Sequence, residues 1–224
     1  MLSNLNTRVA HSSTRPQSVR EEIVNSIVHG AALLASLVAI PFLFQLTETV
    51  PVRAVNIAGS VVFAATLVLL YLCSTLYHAL PEGRARLIML RLDHGAIYLF
   101  IAGSFTPFAM ASLDGGSEWL WLALVWLLAA MGFVLKVCGR LSHPLVSTSL
   151  YLLMGWMVVT IAAPLIQRLP QPAMLWLIAG GIAYTVGVVF FVVDTRMRYA
   201  HAIWHGFVVA GTSCHFVTVL GLHH

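Results

Sequence analysis

The chain has 224 residues, of which 9% are charged and 59% hydrophobic, with a mean hydropathy of +0.89. Soluble domains carry roughly 25% charged residues, so this composition excludes a water-soluble globule and a disordered chain, and 3 cysteines are too few for a disulfide-stapled scaffold. A net charge of +4 is then no nucleic-acid signature, and what remains is a polytopic membrane protein.

Residues 1–20 are polar, rich in Ser, Thr, Asn and Arg, and are expected to form a frayed or surface-lying tail. Residues 21–224 are expected to form one all-α transmembrane domain. A bilayer-spanning helix needs about 20 mostly apolar residues. Seven runs meet this length: 24–46, 54–79, 92–113, 118–137, 146–166, 173–193 and 200–221. They are too long for barrel strands and lack period-2 alternation. The first run is too long for a signal-peptide core and opens with Glu21, Glu22, Asn25 and His29, so it reads as an uncleaved helix. Pro41, Pro107 and Pro164 lie toward the far ends of the first, third and fifth runs, where kinks are expected. The connections are short. No internal repeat is visible, which disfavours an inverted-repeat transporter.

Basic residues orient the bundle. Arg8, Arg15, Arg20, Arg84, Arg86, Arg91, Lys136, Arg140, Arg196 and Arg198 fall on one side of a seven-span topology; Arg53 and Arg168 fall on the other. The positive-inside rule then puts the N-terminus in the cytoplasm and the C-terminus outside, in the inner cell membrane. Trp119, Trp121 and Trp176 fall at the outer interface, where an aromatic belt belongs.

Ionisable residues within spans are costly and point to function. Glu22, Asn25 and His29 sit at i, i+3 and i+7, on one helical stripe. Ser74 and His78 share a face at the end of the second run. Asp93 and His94 open the third, and His201 and His205 share a face at the start of the seventh. All four groups lie at the cytoplasmic ends of their helices, hence in one layer. Imidazoles unpaired in an apolar bundle are expensive, and a divalent metal resolves the cost. Zinc with three protein ligands and an open position is the catalytic arrangement. His201 and His205 would grip the ion from one helix and His78 from another. Asp93 would orient or deprotonate the attacking water.

Simpler roles compete for several of these residues. Asp93 can pair with Arg91 or cap its helix. Glu22 can serve the helix dipole, and Ser74 can bond a helix backbone. His215, deeper in the seventh run, reads as a satisfied polar contact. His11, His143, His223 and His224 read as solvated, and Cys73, Cys138 and Cys214 as free thiols.

The patterns Glu22-x2-Asn25-x3-His29, Ser74-x3-His78 with Asp93 following, and His201-x3-His205 together resemble the three signature motifs of the progestin and adipoQ receptor superfamily. The words STLYH (74–78), LDHGAIYLFIAGSFTPF (92–108) and HAIWHGFV (201–208) resemble its bacterial hemolysin III branch. The resemblance runs from about residue 20 to 221. It implies a seven-helix bundle with the N-terminus inside and zinc held by His78, His201 and His205. It also implies Asp93 near the reacting water, Ser74 close behind the site, and Glu22, Asn25 and His29 as a buttress. Some relatives resemble ceramide hydrolases, while the branch name refers to cytolysis.

The expected function is a zinc-dependent hydrolase of an amide or ester lipid, with Asp93 and Ser74 as the catalytic candidates, acting in membrane lipid homeostasis. The alternatives are a receptor-like or structural sensor with a purely structural zinc, or a cytolytic pore former. Membrane lipid is the expected partner, nucleic acid is not, and the oligomeric state stays open.

Overall fold

Backbone polar groups in a bilayer must be bonded within the protein, by helices or by a closed barrel. In the computed structural model, which describes residues 15–45, 54–111 and 118–222, the chain takes the first route. The helices are α1 (Val19–Gln45), α2 (Ala54–Ala79), α3 (Arg84–Ala111), α4 (Glu118–Val137), α5 (Pro144–Trp156), α6 (Ala162–Arg168), α7 (Gln171–Val192) and α8 (Ala200–Gly221). A 3₁₀ segment, Met157–Ile161, joins α5 to α6. The α5–α6 unit makes one span, so 7 helical segments are long and apolar enough to cross a membrane. Arg8, His11, Arg53, His223 and His224 lie outside the described residues.

Three elements differ from expectation, the first being α1, which begins at Val19 rather than at residue 24. The third helix begins at Arg84 rather than at residue 92. Hydropathy misses its first two turns because they carry Arg84, Arg86 and Arg91, yet Arg, Ala, Leu and Met are good helix formers. Asp93 therefore does not open α3. It lies nine residues in, about 14 Å along the axis. The fifth span is broken rather than bent. Pro164 cannot donate to the Thr160 carbonyl and its ring crowds that group; the Thr160 hydroxyl caps back onto the Met157 carbonyl at 2.6 Å. By contrast, α1 and α3 run unbroken through Pro41 and Pro107.

The α2–α3 pair packs most intimately. A Cβ on Gly59 would come within 2.9 Å of Pro107 Cα, and one on Gly103 would collide with Thr66. Helix α1 packs on both α2 and α8, and α7 packs on α8. Leu34, Val38, Leu127, Ile166 and Val189 face outward, as lipid contact requires, while Asn25, His29, Ser74, His78, Asp93 and His205 are buried.

Candidate metal centre

Imidazoles from α2 and α8 meet near one end of the bundle. One ligand atom from each of His78, His201 and His205 lies within 4.8 Å of the others. The i, i+4 spacing puts His201 and His205 one turn apart on one face of α8. Their ring centroids are 4.6 Å apart, and those of His78 lie 5.2 and 5.0 Å from the two.

The hydrogen bonds decide which nitrogens are free. His78 Nδ1 bonds Glu22 Oε2 at 2.6 Å, and His201 Nδ1 bonds Asp194 Oδ2 at 2.9 Å. Each pairing turns the Nε2 edge away from the carboxylate. His78 Nε2 and His205 Nδ1 are buried and make no hydrogen bond. Buried nitrogens without partners are costly, and a cation among them removes that cost. The donor set therefore fits a divalent metal, and this group could hold one. Carboxylates behind metal-binding imidazoles fix tautomer and orientation, which is where Glu22 and Asp194 stand.

The stripe on α1 reaches the same cluster. Glu22 also pairs with Arg86, so it is engaged in ion pairs rather than serving only the helix dipole. Asn25 is fully buried; its amide donates to Gln17 Oε1 at 2.6 Å and lies 3.5 Å from His78 Nδ1. His29 stacks on His205 at 3.6 Å between centroids.

Asp93 is buried on α3. Arg91 does not pair with it; its guanidinium donates to the Val137 carbonyl at 3.3 Å. Asp93, Ser74, His201 and His205 all line a cavity of about 330 Å3, otherwise walled by residues such as Phe100, Ile101, Leu165 and Ile178. Ser74 is the polar neighbour of Asp93. Its buried hydroxyl does not take up the simpler role of bonding a helix backbone. His215 lines the far part of this cavity and packs edge-on to Phe108 and Tyr184. On the other side of the cluster lies a polar vestibule of about 500 Å3, lined by Arg15, Gln17, Glu22, Arg86 and Asp194 among others.

Asp194 escaped the sequence reading. It follows the end of α7 and passes for an ordinary loop acid. The available signal was its position: the lone acid between α7 and α8, seven residues before His201.

Fold and site together define a class: a multi-pass helical membrane protein with a buried histidine cluster that could hold a metal ion near one end. Within that class the chain belongs to the haemolysin-III-related family, whose family model matches residues 17–216. It is 37% identical over 203 residues to the hemolysin-3 homolog of Bacillus subtilis (strain 168), covering 91% of this chain and 94% of that protein. It is 37% identical over 204 residues to hemolysin-3 of Bacillus cereus, covering 91% and 92%. The human monocyte to macrophage differentiation factor is 24% identical over 224 residues, covering 96% and 90%.

Proposed function

We propose that the protein is a zinc-dependent hydrolase of long-chain amide or ester lipids, its site at the cytoplasmic side of the cell membrane. The observation that carries this reading is the histidine cluster standing between a polar vestibule and an apolar cavity that holds a buried carboxyl. His78, His201 and His205 would hold the metal. Bound zinc supplies Lewis acidity, which polarises a carbonyl and makes water nucleophilic near neutral pH.

The chain's own groups do the rest. The cavity receives the acyl chain; from His205 to His215 it runs ten residues along α8, about 15 Å. The vestibule admits water and the polar part of the lipid. The Asp93 carboxylate takes a proton as the water oxygen bonds to the carbonyl carbon. It returns that proton to the departing nitrogen or oxygen as the old bond breaks, leaving a carboxylic acid and an amine or alcohol. The Ser74 hydroxyl, free of other partners, orients Asp93. Glu22 and Asp194 keep the imidazoles aimed.

A second reading draws on the same geometry. The three histidines come from α2 and α8 alone, so a metal could act only as a staple between them in a receptor-like or structural protein. The Bacillus relatives carry the name hemolysin, but here, Arg91 and Asp93 apart, the charged residues of the described spans fall in the first or last turn of a helix rather than along a stripe lining a wide pore.

Metal analysis and a lipid-turnover assay separate these. Purified protein is expected to carry one zinc per chain, lost in H78A, H201A or H205A; full retention in all three removes the ligand assignment. D93N is expected to keep zinc and lose turnover by about 10²-fold or more. Lipid turnover unchanged in D93N, or never detected in wild type, with zinc removal costing only thermal stability, would favour the staple.

A further inference from the structure

Glu21 has no part in the roles described above, yet its carboxylate is only 3% exposed. Its position has a local cause. Ser18 precedes α1 in a capping box: the Glu21 N–H donates to Ser18 Oγ at 3.4 Å, and the Ser18 N–H donates back to Glu21 Oε2 at 3.0 Å. A capping box occupies one carboxylate oxygen, but here both are in use. Arg15 grips them bidentately at 2.8 and 2.6 Å, and the Ser18 hydroxyl donates to Oε2 at 2.8 Å. The backbone N–H of Tyr199, distant in sequence, donates to Oε1 at 2.9 Å.

Tyr199 is the telling partner. Its φ is 60°, and it is the only non-glycine residue with positive φ among those described. An L-residue in this left-handed region needs its surroundings to hold it there. Tyr199 is also the N-cap of α8, and its carbonyl accepts from the Ile203 N–H at 3.0 Å. His201 follows two residues later. Starting α8 one residue out of register would turn both imidazoles by about 100° around the axis. A separate observation links the same carboxylate to the cluster. Arg15, which grips Glu21, lines the polar vestibule together with Asp194, and Asp194 holds His201 Nδ1.

We propose that Glu21 is a positioning residue of the metal centre: its buried carboxylate locks the left-handed turn at Tyr199 and so sets the register of His201 and His205. This rests on the reading of the three histidines as metal ligands.

The test uses the full chain in detergent, with zinc affinity from chelator competition and the visible spectrum of the Co(II)-loaded form. E21Q, isosteric but uncharged, is expected to keep its helicity, lose about 10- to 100-fold in affinity and shift the Co(II) bands. Adding Y199G is expected to restore part of that affinity, since glycine takes the left-handed turn unaided. Wild-type affinity and spectrum in E21Q overturn the proposal. Lost affinity that Y199G does not recover overturns the turn-locking role. A wild type that binds no metal overturns the ligand reading, and this proposal with it. Should E21Q fail to fold, R15A decides: weaker metal binding supports the proposal, and unchanged binding overturns it.

Discussion

Two carboxylates stand behind two of the three clustered imidazoles, and they are not equivalent. Glu22 divides itself between His78 and Arg86, so removing it also strands a guanidinium. Asp194 serves His201 at the rim of the vestibule, which makes it the cleaner probe. D194N can still accept from His201 Nδ1–H through its amide oxygen but loses the charge that raises imidazole basicity. It is expected to lower zinc affinity about 10- to 100-fold without loss of helicity; equal affinities by chelator competition would show that Asp194 does not support the site. His29 stacks on His205 from the opposite element and completes the packing around that ring. The trio from α1, expected from the sequence as a buttress, has three separate jobs: an ion-paired brace, a buried amide and an aromatic stack.

At the scale of elements, the site depends on helices held at fixed heights, and the α2–α3 contact is the tightest of these. Thr66 fills the space where a Gly103 side chain would go, and its hydroxyl is already committed to the Val62 and Phe63 carbonyls. G103A is expected to cost about 1–3 kcal/mol by overpacking, with T66A recovering part of the loss. Thermal unfolding of the single and double variants measures this, and a stable G103A would mean that α2 and α3 separate without penalty. The early start of α3 belongs to this scale too. It carries Asp93 away from the helix end, so capping no longer explains an acid there. The site's proton-handling candidate is left in an apolar cavity with Ser74.

For the molecule as a whole, every described basic residue but Arg168 flanks the same end as the histidine cluster: Arg15 and Arg20 before and in α1, Arg84, Arg86 and Arg91 in α3, Lys136 and Arg140 about the end of α4, and Arg196 and Arg198 before α8. The positive-inside rule predicts that this end faces the cytoplasm. Cys138 lies there and is exposed, while Cys73 is buried. An impermeant maleimide is expected to leave Cys138 unlabelled on intact cells and to label it in inverted vesicles. Labelling on intact cells would reverse the orientation and move the site to the outer leaflet.

The number of spans and most of their limits were legible because a bilayer demands long apolar runs, and apolarity is a property of each residue by itself. The motif histidines were legible for the same reason: His78, His201 and His205 stand out where almost nothing else is polar. The third helix began earlier than expected because arginines lower hydropathy without lowering helix propensity. Asp194 and Glu21 were hidden because an acid beside a membrane surface is ordinary in sequence; only their partners, His201 and the Tyr199 N–H, make them distinctive. Whether Ser74 would bond its own helix or face Asp93 was not legible, since nothing local tells which partner will meet a hydroxyl. The sequence by itself therefore determined a seven-span helical bundle and a set of candidate polar groups, both consequences of what lipid tolerates. The tertiary structure decided which of those groups meet and which nitrogens are left free among them. It also decided that the cluster lies between a polar vestibule and an apolar cavity, because contact between helices distant in sequence depends on packing and not on composition.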